Sequence, residues 1–343
     1  MNKNVLVLCG LGAIGKYACE ELYRIGYKVD VIALDGNAEI DGINVIKQSV
    51  TNELLAQLFS QKKYNAIVDF TFYTRDNYVD RFELLAQNTE QLVFVSSYRV
   101  YADKQHPITE SAPRLNEFHS RDELLSMEQG YSLAKCECED IINASPYKNK
   151  VTIVRPVISF YHGRLSFITI KSQNLITRSL DKKPILVPLQ AKNTYAGFTF
   201  SGNVGKLLAH LVGKPEALGE VFTLGGVEDI TWEEIGKYIT QELGSNFVWV
   251  DKSVFLENTT PKSQAEYYGL EQDRLIDRRV DISKAIQVTG LKNSDFIPMK
   301  EAIAQEVKII LSSEKIIEEA YKTAPKDYED NMDKYFQNKG ERQ

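Results

Sequence analysis

The chain contains 343 residues, of which 43% are hydrophobic and 26% are charged, and its formal net charge at pH 7 is −6. This composition excludes fibrous, collagen-like and disordered proteins, and the acidic balance argues against a nucleic-acid-binding protein, which usually needs a basic face. No stretch approaches the roughly 18 apolar residues of a membrane span, and the N-terminus lacks signal-peptide features, so we expect a soluble cytoplasmic protein with no membrane partner.

Residues 5–22, VLVLCGLGAIGKYACEEL, predict a strand, a glycine turn and a helix. Val5 to Leu8 is a short apolar run, and helical periodicity follows Gly15. The glycines match G-x-G-x-x-G, which permits a tight turn and lets a pyrophosphate approach the helix N-terminus. An ordinary strand-to-helix turn is the alternative. The candidate cofactor-binding residues here are Gly10, Leu11, Gly12, Ala13, Ile14 and Gly15.

Strand-like and helix-like segments alternate through the first half of the chain. This alternation predicts an α/β fold, a doubly wound parallel sheet with helices on both faces, and any ligand would lie at the carboxyl ends of the strands. The predicted strands are Val29 to Leu34, Ala66 to Phe70, Leu92 to Ser96 and Val151 to Pro156, and the predicted helices cover about Thr51 to Ser60, Asp76 to Gln87 and Tyr131 to Ile142.

From Ser159 onward the pattern is less regular. Thr231 followed by Glu234 predicts a capping box at the start of TWEEIGKYITQELG. We expect a first domain of residues 1–160 and 192–226 and a smaller, interleaved lobe of residues 161–191 and 227–311. The other predicted elements are helices at Lys171 to Leu180 and Asn203 to Val212, an extended segment at Pro184 to Pro188 and a hairpin-like segment at Glu220 to Gly226.

Residues 312–343 form a highly charged C-terminal segment that is interrupted by Pro325. We predict a solvated helix followed by a frayed tail, with a partner-binding arm as the alternative.

The cysteines and histidines do not show the spacing of a disulfide framework or a metal site. A C-x-C pair on a predicted helix is a poor zinc site, so we expect reduced thiols and no metal. These residues are Cys9, Cys19, Cys136 and Cys138, together with His106, His119, His162 and His210.

Two further stretches carry chemically useful side chains. In LVFVSSYRVYADKQHPITES, residues 92–111, Ser97 follows the carboxyl end of a predicted strand. In GYSLAKCECEDII, residues 130–142, Tyr131 and Lys135 are four residues apart and share one face of a predicted helix. A tyrosine and lysine at this spacing are also common on helix surfaces. In this order after the glycine turn, the set favours catalysis.

These motifs resemble the extended short-chain dehydrogenase/reductase superfamily, in particular its nucleotide-sugar epimerase and dehydratase branch. The shared pattern is a glycine-rich first turn, a strand ending in Ser-Ser-x-x-Val-Tyr, and Tyr-x-x-x-Lys. The likeness extends from residue 3 to about residue 305 through ITESAP, VRP, VFTLGG and VDISKA. It implies a Rossmann-like NAD-binding domain, a substrate-binding C-terminal lobe, a nucleotide-sugar substrate and a homodimer.

The resemblance also implies a role for each member of the trio. Tyr131 would be the acid/base for a sugar hydroxyl, and Ser97 would hydrogen-bond the reacting oxygen. Because a free tyrosine has a pKa of about 10, it needs a nearby positive charge to act as a base at pH 7. Lys135 and the positive nicotinamide would supply this charge, and Lys135 would also hold the nicotinamide ribose.

The sequence departs from the family in its cofactor contacts. Asp35 lies twenty residues after Gly15 and would bond the adenosine ribose, and no nearby Arg or Lys accommodates a 2′-phosphate, so NAD is favoured over NADP. Cys9 occupies the place of the family's first glycine. In the adenine region Ser49 replaces the usual Asp, and DFTFYT places Phe70, Thr71 and Phe72 at a normally alanine-rich strand end.

Substrate contacts follow less clearly from the resemblance. The candidates are Tyr98, Arg274 and Arg278, with Arg279 nearby, although none of the arginines lies at the family's usual offset and surface charge is the alternative. Tyr98 and Arg99 stand where the 4,6-dehydratases have part of a Thr-Asp-Glu run, which argues against dehydration. The leading prediction is a 4-epimerase. The alternatives are an NAD(P)H-dependent ketoreductase and, because DFTFYT and SSYRVYA resemble chloroplast stem-loop RNA-binding relatives, a non-catalytic RNA-binding protein.

Overall fold

The computed structural model describes residues 3–34, 40–127, 129–161, 163–259 and 269–340. The strands are β1 Asn4–Leu8, β2 Lys28–Ile32, β3 Asn44–Ile46, β4 Tyr64–Asp69, β5 Thr89–Val95, β6 Val151–Pro156, β7 Ile158–Phe160, β8 Pro184–Pro188, β9 Phe198–Phe200, β10 Val221–Leu224 and β11 Asn246–Val250. The helices are α1 Ala13–Arg24, α2 Asn52–Gln61, α3 Arg75–Gln87, α4 Arg121–Ser126, α5 Gly130–Ala144, α6 Ser172–Leu180, α7 Ser201–Leu211, α8 Trp232–Leu243, α9 Lys252–Thr259, α10 Ser283–Thr289, α11 Met299–Ser312, α12 Glu314–Thr323 and α13 Lys326–Gly340. Within the described ranges, no helix is both long and apolar enough to cross a membrane.

A seven-stranded parallel sheet organises the first part of the chain. Its strand order is β10-β6-β5-β4-β1-β2-β3, and every neighbouring pair is parallel. The order reverses between β1 and β4, which places a crevice at the carboxyl ends of these two strands. The predicted doubly wound fold is confirmed.

Most of the predicted elements are confirmed within a few residues, and the strand Val151–Pro156 has the predicted bounds. The predicted capping box of Thr231 and Glu234 is present at the start of α8. The hairpin prediction for residues 220–226 is wrong, because β10 pairs in parallel with β6, with Val221 opposite Ile153. The partner strand is distant in sequence, so the local pattern could not identify it.

The first compact unit comprises Met1–Ser159, Ser201–Val227 and Val280–Phe296. It has one apolar cluster that includes Val7 and Ala18 and a second that includes Leu6 and Tyr78, because successive side chains of β1 point to opposite faces of the sheet. Helix α7 packs closely on α1: a Cβ on Gly205 would lie 2.8 Å from the amide nitrogen of Ala18.

The second compact unit comprises Phe160–Phe200, Glu228–Arg279 and Ile297–Gln343. Its core contains an aromatic group in which Phe167 lies 4.4 Å from Phe247 and Phe198 lies 5.6 Å from Trp232, measured between ring centroids. Strands β8 and β11 form a parallel pair in this unit. These bounds describe compactness only, so the division into a cofactor-binding domain and a substrate-binding lobe stays a prediction.

The C-terminal segment is more ordered than the sequence suggested. Helix α13 supplies Glu329, 2.8 Å from Nη1 of Arg178, and Asp333, 3.0 Å from its Nη2. Arg178 is fully buried, as is Met332 on α13. A buried guanidinium needs carboxylate partners, so the acidic residues of this helix have a structural role. The expectation of a frayed tail is wrong for residues 326–340.

Candidate active site

The turn between β1 and α1 requires glycine at two positions. A Cβ on Gly15 would lie 2.6 Å from the carbonyl oxygen of Gly10, and a Cβ on Gly10 would lie 2.5 Å from Cγ1 of Val7. These distances leave no room for a side chain, so α1 packs directly on the strand. Leu11 and Ile14 of this turn pack against the apolar core of the first unit.

Gly12 gives the turn an accessible backbone at the helix N-terminus. It is the N-cap of α1, which begins at Ala13, and no side chain of the described residues caps the helix there. A Cβ on Gly12 would meet no described atom within 4 Å. Because the first amide groups of a helix attract anions, a phosphate can approach the backbone at this point. The turn therefore fits a dinucleotide pyrophosphate.

Cys9 begins the turn in a left-handed conformation, with φ of 55°. This conformation favours glycine, which is the residue expected here from the family resemblance. The Thr71 hydroxyl donates a hydrogen bond of 3.6 Å to Sγ of Cys9, and burial raises the pKa of this thiol. The backbone at Cys9 therefore has a conformation that glycine adopts more easily than cysteine.

The remaining cofactor candidates differ in what the structure shows. Asp35 lies outside the described residues. Ser49 is exposed after β3. The Phe70 amide donates to the carbonyl of Leu8 at the end of β1, and the Thr71 amide donates to Oδ1 of Asp69. These contacts hold residues 70–74, which follow β4 and are called the β4 loop, beside the glycine turn. The roles of the candidate residues in cofactor binding stay predictions.

Ser97 and Tyr131 meet beyond the carboxyl end of β5. Ser97 is buried, with 7% of its surface exposed, whereas Tyr131 at the start of α5 is 43% exposed. The Ser97 hydroxyl lies close enough to the phenol to lower its pKa. The ring of Phe72 stacks on that of Tyr131, with centroids 5.7 Å apart and planes 12° from parallel. The phenol therefore lies beside the Ser97 hydroxyl and is partly covered by an aromatic ring.

Several neighbouring groups act on the pKa of Tyr131. Burial raises the pKa of Tyr131, while the nearby Ser97 hydroxyl and the positive charge of Arg99 oppose this effect, and the net pKa is raised. The lowering of this pKa by Lys135 and a bound nicotinamide stays a prediction.

Lys135 lies on α5 as predicted, but its ammonium group points toward the sheet. Only 4% of the residue is exposed, Nζ donates a hydrogen bond of 2.7 Å to the carbonyl of Val95, and it lies 4.9 Å from the centroid of the Phe94 ring. Burial lowers the pKa of Lys135, and the negative charge of Asp69 opposes this change. The trio therefore gathers at the end of β5 with its cation directed inward.

Asp69, the last residue of β4, was not identified from the sequence. It is fully buried, accepts a 2.9 Å hydrogen bond from Tyr73 and lies opposite Phe94 in the β4–β5 register. Burial raises the pKa of this carboxyl, whereas the Thr71 amide and Lys135 favour its charged form. An acidic residue at the carboxyl end of a buried strand was the available signal.

A second unpredicted group attaches α5 to the sheet. The carboxylate of Glu139 accepts hydrogen bonds of 2.6 Å from both the Ser96 hydroxyl and Nη2 of Arg155. Glu139 is fully buried, and Arg155 is 4% exposed. The signal was the spacing, because Glu139 follows Lys135 by one helical turn. This ion pair fixes the helix that carries Tyr131 relative to the strand end that carries Ser97.

The predicted substrate residues lie in buried or ion-paired surroundings. Tyr98 is 1% exposed and packs in a small apolar cluster, so we correct its assignment from substrate contact to core packing. Arg274 and Arg278 lie in the second unit, where both pair with the carboxylate of Asp273. Arg278 is 4% exposed, so it is not a surface charge. A role for the two arginines in substrate binding stays a prediction.

Taken with the glycine turn, the seven-stranded parallel sheet defines a Rossmann-like, doubly wound α/β fold. No family model matches the chain, and a search of the curated proteins gives no match. The evidence from known proteins therefore comes from solved structures.

Three of the solved structures that are similar to this chain are described here by organism, identity and coverage. An epimerase from Methanothermobacter thermautotrophicus is 17% identical, with a TM-score of 0.67 over 93% of this chain and 95% of that one. A UDP-glucose-4-epimerase from Stenotrophomonas maltophila, with bound NAD and formylated UDP-arabinopyranose, is 16% identical, with a TM-score of 0.66 over 90% and 98%. A UDP-glucuronic acid 4-epimerase from Bacillus cereus, in complex with UDP-glucuronic acid and NAD, is 16% identical, with a TM-score of 0.64 over 90% and 99%. Identities this low establish the fold alone.

Proposed function

We propose that this protein is an NAD-dependent enzyme that acts by hydride transfer on a nucleotide-linked sugar, and that it is a 4-epimerase. The observation that carries the proposal is that Ser97 and Tyr131 lie together beyond the carboxyl end of β5, with Lys135 anchored on the same strand end. Catalytic groups of doubly wound folds lie at this edge of the sheet.

The glycine turn supports a dinucleotide as the cofactor. Gly12 leaves the N-terminus of α1 open to a pyrophosphate, while Gly10 and Gly15 bring the helix against the strand. Two of the similar structures hold NAD. The Asp35 carboxylate is the proposed partner of the adenosine ribose, and with no Arg or Lys in ALDGNAEI the sequence favours NAD over NADP.

The side chains of the trio have distinct proposed roles. Bound NAD supplies a reversible hydride acceptor. Tyr131 removes the proton from the sugar hydroxyl at the reacting carbon and returns it in the reverse step. Ser97 orients the reacting oxygen through its hydroxyl, which lies beside the phenol. Lys135 has three N–H donors, of which one goes to Val95, so its ammonium is available to a ribose hydroxyl.

The substrate class rests on the fold and on what the similar proteins are named for. The Stenotrophomonas and Bacillus structures both hold a UDP-linked sugar together with NAD. An epimerase returns its hydride to the sugar and needs only catalytic NAD, whereas a ketoreductase consumes NADH. We assign epimerisation because both of these similar proteins are named as 4-epimerases.

The test combines Tyr131→Phe with a cofactor balance. The protein is incubated with UDP-glucose or UDP-glucuronic acid and substoichiometric NAD, and the sugar products are followed by NMR. Tyr131→Phe should lower turnover at least about a hundredfold, the lower range for acid/base catalysis, with little change in NAD affinity. Tyr23→Phe, an exposed tyrosine on α1, is the matched control.

Two results would change the assignment. Full activity in Tyr131→Phe would refute the acid/base role. Consumption of one NADH for each product would replace the epimerase with a ketoreductase that uses the same trio.

A further inference from the structure

The N-terminus of α5, which carries Tyr131, is attached to the turn that follows Ser97. Arg99 lies in this single turn, Tyr98–Val100, and its Nη2 donates a hydrogen bond of 3.1 Å to Oε1 of Gln129, the N-cap residue of α5. The backbone amide of Arg99 donates to Oγ of Ser97 at 3.2 Å. Arg99 therefore connects a hydroxyl of the candidate site with the residue that lies two positions before the candidate acid/base.

The side chain of Gln129 holds two donors at once. Only 3% of the residue is exposed, and the Ser132 hydroxyl donates to the same Oε1 at 2.9 Å. A guanidinium has donors and no acceptor, so Gln129 must present its carbonyl oxygen to Arg99, and the two lone pairs of this oxygen serve the two donors. The backbone amide of Gln129 donates to the carbonyl of Leu124 on α4 at 2.8 Å. Gln129 thus joins α4, the first turn of α5 and the turn after β5.

Two other attachments of α5 to the end of β5 lie further along the helix, at Lys135 and Glu139. They are one and two helical turns beyond Tyr131, or about 6 and 12 Å along the helix axis. Contacts at these distances hold the helix on the sheet, but they constrain the direction of its first turn less than a contact within that turn does. The hydrogen bond of Gln129 lies at the same end of the helix as the phenol.

We propose that Gln129 is a positioning residue for the reaction at Tyr131. Through its hydrogen bond with Arg99 it holds the start of α5 against the turn after β5, and it thereby fixes where the phenol lies relative to the Ser97 hydroxyl. Both hydroxyls must reach the same substrate oxygen, one to orient it and the other to exchange its proton. The proposal rests on the proposed function, which gives Ser97 and Tyr131 these roles.

Loss of this hydrogen bond should lower turnover more than it lowers binding. Gln129→Met keeps an unbranched side chain of similar length but removes the acceptor. A displacement of about 1 Å can cost about a hundredfold in rate, and the other attachments of α5 limit the displacement, so we expect kcat to fall about tenfold. The KM for UDP-glucose or UDP-glucuronic acid and the affinity for NAD should change by less than about twofold. Gln129→Glu keeps an acceptor oxygen for Arg99 and should recover most of kcat.

Two double variants separate positioning from a general loss of stability. Arg99→Met removes the same hydrogen bond from its other partner, so Arg99→Met combined with Gln129→Met should lower kcat by about tenfold in total, no more than either single variant. In a Ser97→Ala background, Gln129→Met should reduce kcat little further, because the hydroxyl that depends on it is absent. The matched control is Gln87→Met on α3, an exposed glutamine that donates to Glu83, and it should leave kcat unchanged.

The outcomes distinguish this proposal from the proposed function. A wild-type kcat in Gln129→Met, no recovery in Gln129→Glu, or losses that multiply to about a hundredfold in the double variant with Arg99→Met overturn the positioning role alone. If Gln129→Met does not fold, Arg99→Met is compared with Arg99→Lys, which keeps a donor: a lower kcat in Arg99→Met supports the role, and equal values overturn it. An absence of turnover in the wild-type protein refutes the proposed function and the positioning role with it.

Discussion

Neutralising the two carboxylates that hold Arg178 should destabilise the protein by about 3 kcal/mol. The perturbation is the double substitution Glu329→Gln and Asp333→Asn, which keeps the length and shape of α13. Arg178 is fully buried, with Nη1 2.8 Å from Glu329 and Nη2 3.0 Å from Asp333. In the variant, Nε and Nη2 of Arg178 would still donate hydrogen bonds to the uncharged carbonyl of Pro184.

The magnitude follows from the burial of the guanidinium. Breaking a buried ion pair by removing one side costs about 3–5 kcal/mol, because a charge is left without compensation. We take the lower end of this range because the side chains of Glu329 and Asp333 are themselves 18% and 31% exposed. At about 2 °C per kcal/mol for a large domain, the thermal midpoint should fall by roughly 6 °C.

Differential scanning calorimetry measures this change. The matched control is Glu318→Gln with Glu319→Gln, two exposed carboxylates on α12, and surface substitutions of this kind usually alter stability by about 0.5 kcal/mol or less. A decrease below about 1 kcal/mol in the α13 variant, or an equal decrease in the control, would show that the acidic helix does not neutralise Arg178.

Three further predictions follow. Cys9→Gly should stabilise the protein by up to about 1 kcal/mol, measured by urea unfolding. The left-handed backbone strain that it removes, roughly 1–2 kcal/mol, exceeds the cost of the added chain entropy of glycine, about 0.5–1 kcal/mol. Cys9→Ala is the control, because it keeps the strain and should not stabilise the protein. Burial raises the pKa of Asp30, but hydrogen bonds from three side chains outweigh this effect, and the pKa of the folded protein is lowered. The ionised Asp30 therefore stabilises the folded protein above the unfolded pKa of about 3.9, and this stabilisation is lost as the pH falls through the lower folded pKa. Asp30→Asn should therefore reduce the free energy of unfolding at pH 7 and flatten its acid dependence, and an unchanged pH profile contradicts this. Phe72→Ala should increase the rate at which tetranitromethane nitrates Tyr131, measured by peptide mass spectrometry, whereas Phe118→Ala, an equally exposed control, should not.

The fold was predictable because its signals are local. Apolar strands alternate with amphipathic helices, and each strand of the sheet interior carries its own short apolar run, as in Val151–Pro156. The residues 220–226 show the limit: apolar residues next to glycine indicate a strand but not its partner, and the structure pairs β10 with β6. The role of α13 was missed for a similar reason, because its partner Arg178 lies far away in sequence and appeared only as one of many charges.

The candidate site was predictable where it depends on spacing along the chain. The i, i+4 relation of Tyr131 and Lys135 and the place of Ser97 after a strand were sufficient to gather the three residues. The direction of each side chain was not predictable, because it depends on the groups that meet from separate elements. Lys135 turns toward Val95 and Phe94 at the strand end, a direction that the helix alone does not specify.

Residues at the end of β4 and just after it influence both Tyr131 and Lys135 on α5. The ring of Phe72 stacks on Tyr131, and Asp69, at the end of the same strand, places a buried negative charge on the side of the sheet to which Lys135 points. A buried carboxylate favours a nearby ammonium, so Lys135 is stabilised where it compensates Asp69. The orientation of Lys135 therefore depends on groups at the carboxyl ends of β4 and β5, which are distant from α5 in sequence.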